Sequence, residues 1–172
     1  SGAGGGGPVC GGVNTNGGTS RNLTNNPNTF ALEVAATRSN RTVTGWQIWT
    51  RMRSGTSANV PVALHLADTA GKPNVRPART GTMRVTGTTS GWASVTVSPI
   101  TIPAGQKFFV TYGDTLARPT DLPALATGTR ATHYWHPPAQ TSWNGPFGTI
   151  NWSFRVNCGG GSGGGGSRGG GR

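Results

Sequence analysis

Residues 60–66 read Val-Pro-Val-Ala-Leu-His-Leu, and this stretch decides the fold. In an extended chain Val60, Val62, Leu64 and Leu66 share one face while Pro61, Ala63 and His65 share the other, the two-residue period of a half-buried strand. Residues 150–157 repeat the pattern, with Ile150, Trp152, Phe154 and Val156 set against Asn151, Ser153 and Arg155. Working outward, the same alternation predicts strands at 30–36, 43–51, 81–85, 92–97, 100–102, 107–112 and 133–135. No segment carries helical periodicity. Gly and Pro punctuate the chain at 70–74, 89–91 and 103–106, where the backbone must reverse. Pro61, lacking an N–H for the ladder, predicts an edge position. Eight or nine such strands predict an all-β, two-sheet antiparallel sandwich of jelly-roll-like form. Trp46, Trp92, Trp152, Phe108 and Tyr112 are the expected core, and residues 114–132, with poor alternation, an expected surface loop.

The chain has 172 residues, of which 30 are Gly and 12 Pro. Nine of those glycines fall in residues 1–20 and ten in 159–172, so two Gly-rich tails are expected to flank one domain at 21–158. Arg168 and Arg172 are the charged residues of the tails; the strongly basic balance, +11 overall, therefore belongs mostly to the folded body. A free Gly-rich segment is a flexible linker. Against a neighbour it can add as a strand to a sheet edge or pack as an extended threefold helix, and both are modes of assembly.

Cys10 precedes the first long strand and Cys158 follows the last, and no metal-binding spacing surrounds either. A disulfide tying the ends of the sandwich is the expectation, and with it an oxidising, extracellular or cell-surface location. The chain opens at Ser1 without Met or an apolar leader, as a processed secreted protein or an incompletely assigned one would, and no run reaches membrane-spanning length.

Catalysis is thinly provided for. The four acids are Glu33, Asp68, Asp114 and Asp121. Glu33 falls in a strand and Asp68 at a turn, Asp114 and Asp121 could share a loop but suit turn or capping roles better, and no nucleophile-elbow pattern is present. We expect no catalytic residue and no cofactor. The densest chemistry is His133-Tyr134-Trp135-His136-Pro137-Pro138 followed by Trp143-Asn144-Gly145. His133 and His136 lie three apart, which in a strand sends them to opposite faces, so no metal site is expected from them, with His65 a distant third. Tyr134, Trp135 and Trp143 either pack one end of the sandwich or form a flat platform for sugar rings, making polysaccharide a candidate partner. Acid has little to act on: between about pH 5 and 9 the three His are almost the only titrating groups, predicting a flat melting temperature from pH 7 to 3.

Arginine is the other candidate surface. Arg38, Arg41, Arg51 and Arg53 flank the second long strand, and Arg76, Arg79 and Arg84 cluster at the fourth. Such a surface attracts polyanions. Nucleic acid is a weak candidate, because no helix-turn-helix, zinc-finger or RNA-binding signature accompanies the charge.

Gly45-Trp46-Gln47-Ile48, residues 62–66 with Gly71-Lys72-Pro73, Gly91-Trp92-Ala93-Ser94-Val95, and Ile102-Pro103-Ala104-Gly105-Gln106-Lys107-Phe108-Phe109-Val110 together resemble secreted bacterial jelly-roll modules of surface and matrix proteins, similar in fold to carbohydrate-binding modules. The resemblance spans roughly residues 30–158. It implies an extracellular β-sandwich and carries over no catalytic residue. This chain departs from it in standing between Gly-rich tails. The expected function is a secreted, non-catalytic structural subunit that self-assembles into a filament or matrix through tails and sheet edges. A carbohydrate-binding module and a capsid-like polyanion-binding protein are the alternatives.

Overall fold

The computed structural model describes residues 7–13, 20–21, 28–113, 120–123, 132–138, 140–148 and 153–159. Among them are twelve strands and no helix: β1 (Val9–Val13), β2 (Ser20–Arg21), β3 (Thr29–Val34), β4 (Arg41–Met52), β5 (Ser57–Leu66), β6 (Arg79–Thr86), β7 (Gly91–Ile102), β8 (Phe108–Gly113), β9 (Thr120–Pro123), β10 (His133–His136), β11 (Asn144–Phe147) and β12 (Phe154–Cys158). Every pairing is antiparallel. One sheet runs β1-β12-β4 with β7 on the other flank of β4; β9 and then β2 continue it from Arg51 and Met52. The second sheet has the order β11-β10-β3-β8-β5-β6.

The pairings nest. β5 pairs β6, β4 pairs β7, β3 pairs β8, and β1 pairs β12 outside them, as in a long hairpin wound around a core. The alternation along each strand dictates which side chains meet inside. Trp46, Ile48 and Met52 from β4 face Val60, Val62 and Leu64 from β5 and Phe108, Val110 and Tyr112 from β8, all buried. A polar contact crosses this core between Thr50 Oγ1 and the Tyr112 hydroxyl at 3.0 Å, satisfying a phenol that apolar surroundings would otherwise penalise. Gly81 sits where the sheets close: a Cβ there would lie 2.8 Å from Val95 Cγ2, so only glycine lets β6 approach β7 this closely. Arg79 then clamps the two sheets, its Nε and Nη2 donating to the Ser98 and Pro99 carbonyls of β7 at 2.8 Å each.

Several expectations are corrected. The strands expected at 92–97 and 100–102 are one strand, β7, which accommodates Pro99 by shifting register: Val43 faces Ile100 while Gly45 faces Thr96. Within the expected loop 114–132, Thr120–Pro123 is a strand paired to β4 and β2; four residues are too few for an alternating pattern to stand out. Val9–Val13, inside the expected N-terminal tail, is a sheet strand despite two consecutive glycines. Asn144–Phe147 is also a strand, bearing Pro146 at the sheet margin. β5 is not an edge, since β6 flanks it from Ser57 to Leu64, but β8 pairs only Leu64–Leu66, so Pro61 lies beyond the reach of that ladder. Trp92 is half-buried on the outer face rather than in the core. Trp152 and Ile150, Asp114, and the segments before residue 7 and after 159 lie outside the described residues.

Cys10 and Cys158 form a disulfide with a Cα–Cα separation of 5.9 Å. It closes a loop of 148 residues, so reduction should lower stability by about 4–5 kcal/mol in the chain-entropy description, read as a shift of the urea midpoint with and without dithiothreitol. A midpoint unchanged by reduction would show that β1 holds to β12 without the bond.

Candidate functional site

Of the three rings of the expected sugar platform, Tyr134 and Trp143 share one cluster and Trp135 lies on the other side of the sheet. β10 pairs β3 with His133 opposite Leu32, Tyr134 opposite Ala31 and Trp135 opposite Phe30. Leu32 and Phe30 point into the sandwich, so His133 and Trp135 do as well, while Tyr134 points outward. Tyr134 and Trp143 nevertheless have little exposed area, 4% and 8%, because with Ala31 and Phe109 they form a second apolar cluster on the outer face of this sheet. Phe109 and Tyr134 meet edge to face at 5.5 Å. Burial pushes the Tyr134 phenol above its usual range.

Two histidines do converge, though not the pair closest in sequence. His65 on β5 and His136 on β10 each meet the Trp143 ring edge to face, at 5.5 and 4.4 Å. His65 Nδ1 bonds the Asn74 carbonyl at 2.6 Å and His136 Nδ1 the Pro137 carbonyl at 2.8 Å, fixing both rings as Nδ1–H donors. Together with Ala63, Thr111 and Gly113 these three rings line an open groove of about 260 Å³. His133 lies on the other side of the sheet, against Phe30 and Phe147. Among the described residues no group of three or more His, Cys, Asp or Glu is arranged to hold a metal ion.

The arginines divide. Arg38, Arg53, Arg76 and Arg84 are exposed, and Arg84 donates to Ser57 Oγ at 3.1 Å. Arg51 is half-buried, with Nη1 on the Met52 carbonyl, and Arg79 is occupied by the carbonyls named above. Arg41, expected on the polyanion surface, is 7% exposed and belongs to the interior of the β1 corner. Its place at the first residue of β4, facing inward like Val43, is what buries it.

A surface beyond those expected from the sequence lies on the outer face of the β12-β4-β7 sheet. Trp49 and Trp92 are direct cross-strand partners, with ring centroids 5.3 Å apart at 76°. The Arg155 guanidinium stacks over Trp92 at 4.1 Å and donates from Nε to Gln47 Oε1 at 2.6 Å, while Gln47 Nε2 donates to Ser94 Oγ at 3.0 Å. The signal was present in Gly45-Trp46-Gln47-Ile48-Trp49: two tryptophans an odd number of residues apart in a strand cannot both face the core.

No protein-family model matches the chain, and no curated protein or solved structure matches it.

His65 alters the expected acid behaviour. Burial lowers its pKa, outweighing the raising effect of the Asn74 carbonyl, and the nearby His136 lowers it further. Below the ordinary imidazole value of 6.5 the unfolded chain therefore takes up the proton first. The melting temperature should be level above about pH 7, fall as pH drops through 6.5 toward the depressed folded value, and level again once folded His65 is also protonated. His65→Gln, measured by differential scanning calorimetry across pH 4 to 8, should remove most of that step; an unchanged step would assign it elsewhere.

Proposed function

We propose that this chain is a secreted, non-catalytic structural module that joins an extracellular filament or matrix by strand addition at its β1 edge and through its Gly-rich segments. One observation carries the reading. β1 is the outermost strand of its sheet among the described residues, and within Val9–Val13 it bears neither a charged residue nor a proline, two of the devices by which sheet edges resist further pairing, although its register to β12 shifts between Val9 and Gly11. Its register to β12 is regular from Gly11 to Val13, where two of the three residues are glycines. The disulfide lies beside Gly7 and Gly159, the described residues next to the two Gly-rich segments, and at this corner the amide of Gly159 bonds the Thr42 carbonyl at 2.8 Å. A disulfide-closed sandwich with no helix long and apolar enough to cross a membrane, among the described residues, is compatible with an extracellular place of work. In this reading the polymer is heterologous, a ribbon from one molecule lying on the edge of the next.

The purified protein should form regular polymers in negative stain, and deletion of residues 159–172 should leave a folded monomer by light scattering. Persistent monomers of the intact protein at high concentration would overturn the reading.

The Trp49–Trp92 face favours a second reading, binding of a neutral polysaccharide. Two half-buried indoles on an outer sheet face, flanked by Gln47, Ser94 and Arg155, offer apolar surface beside hydrogen-bonding groups. Trp92→Ala should then weaken retention on an insoluble glycan in a pull-down by at least fivefold without changing the melting temperature by more than a few degrees. Equal retention of both proteins would remove this reading and leave assembly untouched.

A further inference from the structure

Strand β1 is fastened to the sandwich more by its disulfide than by packing. It pairs β12 alone and gives the core no fully buried apolar side chain: Cys10 and Val13 pack partly against the core, and Val9 is 41% exposed. Such a strand buries little apolar surface against the large ordering entropy of its glycines. Its polar anchors all accept through main-chain carbonyls. Asn157 Nδ2 donates to Gly7 at 2.9 Å, the Cys158 amide to Pro8 at 2.9 Å and Arg41 Nη1 to Cys10 at 3.1 Å. Carbonyls of that kind could come from any extended chain, so these bonds hold the strand without choosing it.

The choice is made by three positions that exclude a side chain. A Cβ on Gly7 would collide with the Cys158 carbonyl, and one on Gly11 would stand 2.6 Å from Val34 Cγ1 and 3.3 Å from Arg41 Nη1. One on Gly12 would stand 2.6 Å from the Phe154 carbonyl oxygen, and φ there is +92°, a backbone that other residues rarely adopt. Between Gly7 and Gly11 the register to β12 shifts by one residue, and the extra residue is Cys10, bonded to Cys158. A strand seated on β12 must therefore offer glycine, cysteine and two further glycines at fixed spacing. This chain carries that pattern in residues 7–12, so the occupant that fits is β1 of a second copy. It would repeat every contact just named.

We infer that β1 is exchanged between copies of this chain: released by a small thiol, it leaves its own β12 and seats on the bared β12 of another copy. The Cys10–Cys158 bond then joins two molecules instead of closing one. Cys10 is the more exposed of the two cysteines and lines an open cavity of about 350 Å³ between β1 and residues 33–37, through which a thiol reaches it. A thiolate attacks the Cys10 sulfur, forming a mixed disulfide and releasing the Cys158 thiolate. The Cys158 thiolate of a second, likewise opened copy then attacks that mixed disulfide and expels the small thiolate. One disulfide is broken and one made for each chain, and the thiol is returned, so the exchange needs no net oxidant or reductant. Residues 14–19, which join β1 to β2, include Gly17 and Gly18 and span up to about 20 Å when extended, which lets β1 leave while the remaining strands stay paired. Exchange differs from strand addition at the β1 edge, which leaves every disulfide within its own molecule, and it does not depend on that reading.

Mixing isotopically heavy and light protein with a trace of reduced glutathione tests it, followed by mass spectrometry of the linked Cys10 and Cys158 peptides. Heavy–light pairs should appear and increase with protein concentration, while the tryptophan fluorescence stays that of the folded protein and a non-reducing gel shows covalent dimers and larger species. Without the thiol, no such pairs should form. A second arm tests the seat itself: a free peptide of residues 7–13 should be captured on Cys158 in the presence of glutathione, and the same peptide carrying Gly11→Val about tenfold less, because of the clash with Val34. The inference is overturned if every linked pair remains heavy–heavy or light–light, if mixed pairs arise only once the native fluorescence is lost, or if the two peptides are captured equally. Polymers in which all the disulfides stay within single molecules would overturn exchange and leave strand addition standing.

Discussion

The corner where the chain's two ends meet organises the molecule. The disulfide joins β1 to the end of β12, and Arg41 reaches from the start of β4 to the Cys10 carbonyl on β1 and the Ala35 carbonyl just beyond β3. Three strands from distant parts of the sequence are thereby held at one point. The outermost turn of the wound hairpin is also its least protected, because its pairing strand is short and rich in glycine. A covalent bond and a buried guanidinium supply there what apolar side chains supply in the middle of the sandwich. Asn157 strengthens the same corner by donating to the Gly7 carbonyl at 2.9 Å.

Much of this fold was legible because its central strands obey a simple rule. Val60, Val62, Leu64 and Leu66 alternate cleanly, and they do line the core or pack against it. The Cys10–Cys158 pairing is legible on other grounds: the two cysteines bracket the strands, no metal-binding spacing surrounds them, and the ends of a compact domain tend to lie close together. What escaped was decided by contacts that alternation does not encode. Arg41 looks like a surface cation in sequence; only the register of β4 and the absence of side chains on Gly11 turn it inward. Trp92 looks like core in sequence because it is large and apolar, yet it pairs with Trp49 on the outer face. The aromatic block at 133–136 announced a cluster correctly, but the two faces of β10 divide it.

The scarcity of carboxylates gives each one more weight. Glu33 pairs with Lys107 beside a cavity, and Asp68 closes its own turn by accepting from the amides of Ala70 and Lys72. Such a chain cannot neutralise its guanidinium groups internally, so it uses carbonyls, hydroxyls and rings instead. Arg79 does so on Ser98 and Pro99, Arg84 on Ser57, and Arg155 on Gln47 and Trp92. These contacts persist across a wide range of pH, because none of the acceptors titrates.

The Arg79 clamp also makes the flanks of the sandwich unequal. By occupying two carbonyls at the β7 margin it spends acceptors that a foreign strand would need, whereas at the β1 margin Arg41 takes one, that of Cys10. Molecules joined by the proposed β1 contact would all face one direction along the row. The row would have two chemically distinct ends, and growth could be stopped at one of them without touching the other.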